Sequence, residues 1–203
     1  MSSATRWIPD ATTRAAGESA RVPYRYAEET GPGEQRSPYP ALVALHDAIV
    51  QPWPGVTSGG MRRDSARIGT TNHDPHKAGF AIDFQIRNDA NRVANGTALA
   101  TFLVRNAELL QLQYIIWNGT ELSTSNVGPR WEAYTGAEGH GDHAHVELGP
   151  VAREWSYDEM MRRVRSALAA WSSPPASTGH VAAYLVGGVA LVAALAVVFG
   201  KRR

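Results

Sequence analysis

The sequence predicts an α+β domain followed by one C-terminal transmembrane helix. Three observations lead there. Short apolar runs of strand character are interleaved with longer helical patterns, which suits helices packed against a sheet. The 203 residues are enough for one domain with appendages. Residues Val181 to Gly200 form an uncharged apolar stretch bounded by His180 and by Lys201-Arg202-Arg203.

Composition narrows the classes of function. Hydrophobic residues make up 43% and charged residues 19%, so the chain has material for a core and is not a disordered polymer. With no cysteine, disulfides, thiolate metal sites, Fe–S clusters and cysteine nucleophiles are all excluded. The formal net charge is +1, and the last three residues supply three positive charges, leaving a nearly neutral body. Such a body has no electrostatic footprint for nucleic acid.

The elements follow in order. Residues 1–37 read as an irregular lead-in, with a short helix near Asp10–Ala20. Ser37 and Pro38 precede an apolar helical pattern through Ala41, Leu42, Leu45, Ile49 and Val50, the pattern of a capped amphipathic helix. Gly79–Phe84 reads as a short buried strand. Thr97 is placed to cap a helix through about Leu112 that turns Leu99, Phe102, Leu103, Leu109 and Leu110 inward. Tyr114–Trp117 is the strongest strand and ends at the turn pair Asn118-Gly119, and His143–Leu148 is another strand. Ser156 and Glu159 have capping-box spacing before a helix to about Trp171.

The main domain therefore covers 38–171, a Pro/Ser linker 172–180, and a membrane span 181–200 with a basic tail at 201–203. This predicts a single-pass membrane protein. The basic tail would place the body outside the cytoplasm, whereas residues 1–37 hold no apolar run of signal length to export it. The side of the membrane stays open at this point.

Five of the seven histidines lie in two short segments, His73–Asp83 and His140–His145. Neutral imidazoles and carboxylates are zinc donors, and a catalytic zinc takes three protein ligands while keeping one position open. On a strand, His143 and His145 share a face while Ala144 and Val146 pack behind. Asp83 sits between Ile82 and Phe84, where a carboxylate is costly unless paired or metal-bound. Gly79 permits a close backbone approach between the His76 loop and this strand. The ligand set that fits is His76, Asp83 and His145, supplied from two neighbouring strands around one zinc ion.

These segments also match family motifs. His76-Lys77-Ala78-Gly79-Phe80-Ala81-Ile82-Asp83 has the form H-x-x-G-x-A-x-D, and Asp142-His143-Ala144-His145 combines D-x-x-H with H-x-H. Together they resemble the zinc peptidases that unite D-alanyl-D-alanine carboxypeptidases, L-alanyl-D-glutamate endopeptidases and the hedgehog signalling domain, and they are similar to actinobacterial and phage cell-wall hydrolases. Ser58-Gly59-Gly60-Met61-Arg62-Arg63 is similar to that family's S-G-Y-R-S segment. Tyr114–Gly119 and Trp131–Tyr134 also resemble the stretch before H-x-H in the related hydrolases.

The resemblance covers about residues 38–150. It implies a small central antiparallel sheet flanked by helices, with zinc on His76, Asp83 and His145. It further implies Asp142 as general base, His143 as a group stabilising the oxyanion or orienting substrate, and an arginine holding a substrate carboxylate or carbonyl. Arg62 and Arg63 compete for that last role, with Arg62 favoured. His73 or Asp74 is left as an outer-sphere partner or alternative ligand.

The expected function is zinc-dependent hydrolysis of peptidoglycan stem peptides or similar D-amino-acid peptides. The alternative is a zinc-bound, non-catalytic module that binds cell wall or peptide. Other features have plainer readings: His46 as a surface or core residue, His140 as a loop or outer-sphere residue, and Trp117, Trp131 and Tyr134 as core before cleft.

Overall fold

Strand pairing organises the molecule. β1 (Val56–Gly60), β2 (Ala81–Ile86), β3 (Leu112–Trp117), β4 (Thr120–Ser123), β5 (Arg130–Ala133) and β6 (His143–Leu148) form one antiparallel sheet in the order β1-β2-β6-β3-β4-β5. The helices are α1 (Ala11–Ser19), α2 (Pro40–Val50), α3 (Arg92–Arg105), α4 (Ala107–Leu110), α5 (Pro150–Arg153) and α6 (Tyr157–Trp171). The computed structural model describes residues 6–25, 36–61, 74–124, 128–136 and 139–171. Residues 1–165 form one compact unit and 166–203 a second, of which only the end of α6 is described.

Alternation along the strands divides the sheet into two unlike faces. Ile82 and Phe84 of β2, Val146 and Ala144 of β6, Ile115 and Trp117 of β3 and Leu122 of β4 are buried on one face. The helices cover this apolar face. Gly96 of α3 lies so close to Trp117 that an added Cβ would stand 2.1 Å from the indole, and Gly17 of α1 abuts Trp131 and Leu122. Gly59 of β1 meets both His46 of α2 and Ile82. The opposite face carries Asp83, His143, His145 and Glu147, together with Tyr114 and Glu121.

Several boundaries differ from the expectation, each for a local reason. α2 starts at Pro40 and not after Ser37, because proline at the first helical position has its φ preset and no donor to lose. α3 starts at Arg92, placing Thr97 inside the helix, where its Oγ1 accepts from Trp117 Nε1 at 3.1 Å. α3 stops at Asn106, whose side-chain amide donates to the Phe102 carbonyl at 2.8 Å, and this break leaves Leu109 on the short α4, 38% exposed. The Ser156 hydroxyl accepts from Glu159 N at 3.2 Å, so half of the expected capping box forms. The Glu159 carboxylate turns instead to Arg163 Nε, 2.6 Å away.

Asn118 and Gly119, with φ of 42° and 75°, form the two-residue turn that joins β3 to β4 across the Trp117–Thr120 pair. The lead-in is more ordered than its composition suggests: Asp10 caps α1 by accepting from Thr13 N at 2.8 Å, and its carboxylate meets Arg105. No helix among the described residues is long and apolar enough to cross a membrane, and the expected span 181–200 lies outside them.

Candidate metal centre

The site is built where β2 and β6 run side by side. Asp83 and His145 are direct cross-strand partners, so both side chains leave the sheet on the same face. The carboxylate Oδ1 of Asp83 lies 2.8 Å from His145 Nδ1. His76 arrives from the turn before β2, with its Nε2 3.3 Å from Asp83 Oδ1 and 3.3 Å from His145 Nδ1. One donor atom from each of the three residues lies within 4.8 Å of the other two. Two chain segments that are 62 residues apart thus supply a three-ligand group able to hold a metal ion.

Local structure aims His76. Asp74 Oδ1 accepts from His76 N at 2.9 Å, and Ala78 N donates to Asp74 O at 3.0 Å, closing a helical turn. Gly79 then reverses the chain with φ of 83°, and its α-carbon faces the Ser37 carbonyl so closely that a Cβ would stand 2.5 Å from that oxygen. Any other residue there would be strained and would also collide. Asp74 therefore acts as a backbone brace for His76, an outer-sphere role. His73, Arg62 and Arg63 lie outside the described residues. The strand leading to the two arginines ends beside the site, with Gly60 opposite Asp83.

Electrostatics favour a cation. Burial alone would raise the Asp83 carboxyl, yet hydrogen bonds and charge from His145 and His76 hold it far below the usual carboxylate range. Burial opposes a charged His145, but its bonds to Asp83 and Glu147 and their charges outweigh this and bring its pKa up to about 9. Without metal, the proton that His145 Nδ1 shares with Asp83 stands where a metal ion would bind. A metal must displace that proton, so uptake is expected to release about one proton per ion from this residue at neutral pH. Below about pH 9 the apparent affinity should fall up to tenfold per unit of pH from this displacement. Zinc titrations in buffers of different ionisation heat read the proton count directly. An affinity that stays flat between about pH 6 and pH 8 would contradict it.

Around the triad, His143 Nδ1 lies 2.7 Å from Asp142 Oδ1, while its Nε2 points inward, 3.9 Å from Asp83 Oδ1. That Nε2 and His76 Nδ1 are buried and have no hydrogen-bond partner among the described residues, an arrangement that calls for a ligand or ion. The Asp142 side chain is 68% exposed and is tied to His143. His140 is buried with a left-handed φ of 49°, its ring centroid 4.5 Å from that of His143 and 4.6 Å from that of Tyr134. Trp117 is fully buried core, and Trp131 packs edge-on against Trp7. His46 is bonded to Asp47 on α2, apart from the triad.

Two neighbours of the triad are given no site role by the motifs, although Tyr114 opens the Tyr114–Gly119 segment that resembles the related hydrolases. Glu147 Oε1 lies 3.3 Å from His145 Nε2, and the Tyr114 ring stands edge-on to His145 at 6.1 Å, its hydroxyl on Glu121. The alternation His143, His145, Glu147 in an otherwise apolar strand is a signal that could have found Glu147. Tyr114 carries no such signal, since a tyrosine in an apolar strand looks like core.

A family model described as VldE, C-terminal domain, matches residues 35–145, more than half of the chain. The matched span holds the triad, Asp142 and His143, and stops before Glu147. No curated protein and no solved structure matches the chain.

Proposed function

The chain belongs to the VldE C-terminal domain family, and since that description names no reaction, we propose a function from the site inside the matched span: zinc-dependent hydrolysis of peptide bonds. The substrates in this reading are peptidoglycan stem peptides or other D-amino-acid peptides. The observation that carries the reading is the convergence of two imidazole nitrogens and one carboxylate oxygen from separate segments. Nitrogen and oxygen donors without thiolate, three in number, suit a catalytic zinc.

When bound, zinc supplies a Lewis acid that polarises a carbonyl and lowers the pKa of water toward about 7. The protein groups handle orientation and protons. His76, Asp83 and His145 would hold the ion. Asp142 fixes the ring of His143 through Nδ1 and so aims His143 Nε2 at the reacting centre. In this reading the pair carries the proton that moves from the attacking water to the departing amine, with Nε2 as the atom that gives and takes it. An arginine of the 62–63 pair is proposed to hold the substrate carboxylate.

The test uses the full chain in detergent, loaded with zinc and offered stem peptides ending in D-Ala-D-Ala or containing L-Ala-D-Glu. Cleavage seen by mass spectrometry, abolished by chelation and restored by zinc, is the expected result. Stoichiometric zinc without cleavage would instead assign the non-catalytic binding module. A chain that takes up no metal overturns both readings.

A further inference from the structure

Behind His145 a line of buried polar groups runs away from the metal side. Glu147 Oε1 meets His145 Nε2 at 3.3 Å, and Gln113 Nε2 donates to Glu147 Oε2 at 2.9 Å. Gln113 Oε1 accepts from Arg153 Nη2 at 3.1 Å. Arg153 is itself clamped: its Nε donates to the Leu148 carbonyl at 3.0 Å and its guanidinium lies 3.5 Å from the centre of the Phe80 ring. Gln113 is also pinned to the chain at Arg25, donating to its carbonyl at 3.0 Å and accepting from its N–H at 3.1 Å.

We propose that Glu147, held by Gln113 and Arg153, is the positioning residue that fixes His145 with its proton on Nε2 and so reserves Nδ1 for the metal. The inference rests on the metal-site reading above and adds residues outside the motifs, of which Glu147 and Arg153 also lie beyond the matched span.

The argument is one of hydrogen-bond inventory. A neutral imidazole has one N–H and one lone pair, and the hydrogen bond made by one nitrogen decides what the other can do. A carboxylate accepts and cannot donate, so once a metal has displaced the proton that Nδ1 shares with Asp83, Glu147 keeps the remaining ring proton on Nε2. Nδ1, the atom facing Asp83 and His76, is then left with its lone pair for a cation. Glu147 is only 8% exposed, and a carboxylate buried that far needs its partners. Gln113, itself fully buried, meets the need from one side and His145 from the other. Arg153 matters because it occupies the Gln113 carbonyl oxygen and so leaves the amide nitrogen facing Glu147.

The test compares wild type with Glu147→Gln in the full chain, reading zinc affinity by competition with a chelator and the His145 ring by nitrogen NMR. Glu147→Gln keeps the shape but removes the obligate acceptor. Zinc affinity is expected to fall about 10- to 100-fold. In the zinc-loaded chain the His145 ring should show a single state protonated on Nε2 in wild type and a mixture of ring states in Glu147→Gln. Gln113→Met, which leaves Glu147 and all three ligands in place, should shift affinity the same way by about tenfold or less. A merely structural role would alter the melting temperature without moving the ring signals. Should wild type bind zinc while both variants bind it equally well with unchanged ring signals, the positioning role is overturned and the metal site stands. A wild-type chain that binds no zinc overturns both.

Discussion

His145→Ala should abolish metal uptake and, with it, hydrolysis. The imidazole contributes the atom nearest to Asp83 and is bonded on both sides, to Asp83 at Nδ1 and to Glu147 at Nε2. Its removal takes the set from three donors to two, below what a catalytic zinc takes from protein. It also leaves a buried carboxylate, Glu147, and a partly buried one, Asp83, facing the emptied space, at a cost of about 3 kcal/mol to folding. The proposed hydrolysis should drop on the order of 10⁴-fold or more, since in that reading the ion both polarises the carbonyl and activates the water. Metal content by mass spectrometry on the folded fraction separates lost metal from lost fold. His46→Ala, which changes a residue bonded to Asp47 on α2, is the matched control and should keep the metal. A His145→Ala protein that retains one tightly bound zinc would remove the proposed centre from consideration.

Asp142→Ala should have the opposite profile: zinc retained, turnover lost. Asp142 is no ligand of the triad, and with a side chain 68% exposed its truncation should change stability by less than about 1 kcal/mol. What disappears is the 2.7 Å bond that orients His143. Turnover is expected to fall by about 10²–10⁴, the usual contribution of proton transfer by a positioned side chain. His143→Ala should cost a similar factor, and the double variant little more than either alone, because residues acting as one unit are not additive. Losses that multiply would mean that Asp142 and His143 act separately. Full activity in Asp142→Ala would remove it from the mechanism.

How much of the molecule is legible in the sequence depends on whether local rules or distant partners decide the outcome. β6 is readable from end to end because its alternation of polar and apolar residues is itself the structure. The triad is readable because an acid between Ile82 and Phe84 is too costly to bury without a partner or a cation. β1, β4 and β5 are not foreseen. The Val56–Gly60 segment has two glycines and only one apolar residue, so pairing with β2 makes it a strand and its own propensity does not. Thr97 looks like a cap in the sequence, yet its hydroxyl answers the Trp117 indole, a partner 20 residues away. Arg153 stays hidden in the same way, and although alternation along β6 marks Glu147, the purpose of both is visible only once β6, β3 and α5 are side by side.

The pairing of Asp83 with His145 carries a consequence for assembly of the sheet. Sliding β2 by a single position along β6 would swing the acid toward the helices while the imidazole kept its side, and the two could no longer share an ion. A cation binding at this point therefore rewards only one alignment of the strands. At a free concentration of about a hundred times its dissociation constant, it would favour that alignment by about 2.7 kcal/mol. Metal supplied during refolding should then act as a proofreader of strand alignment.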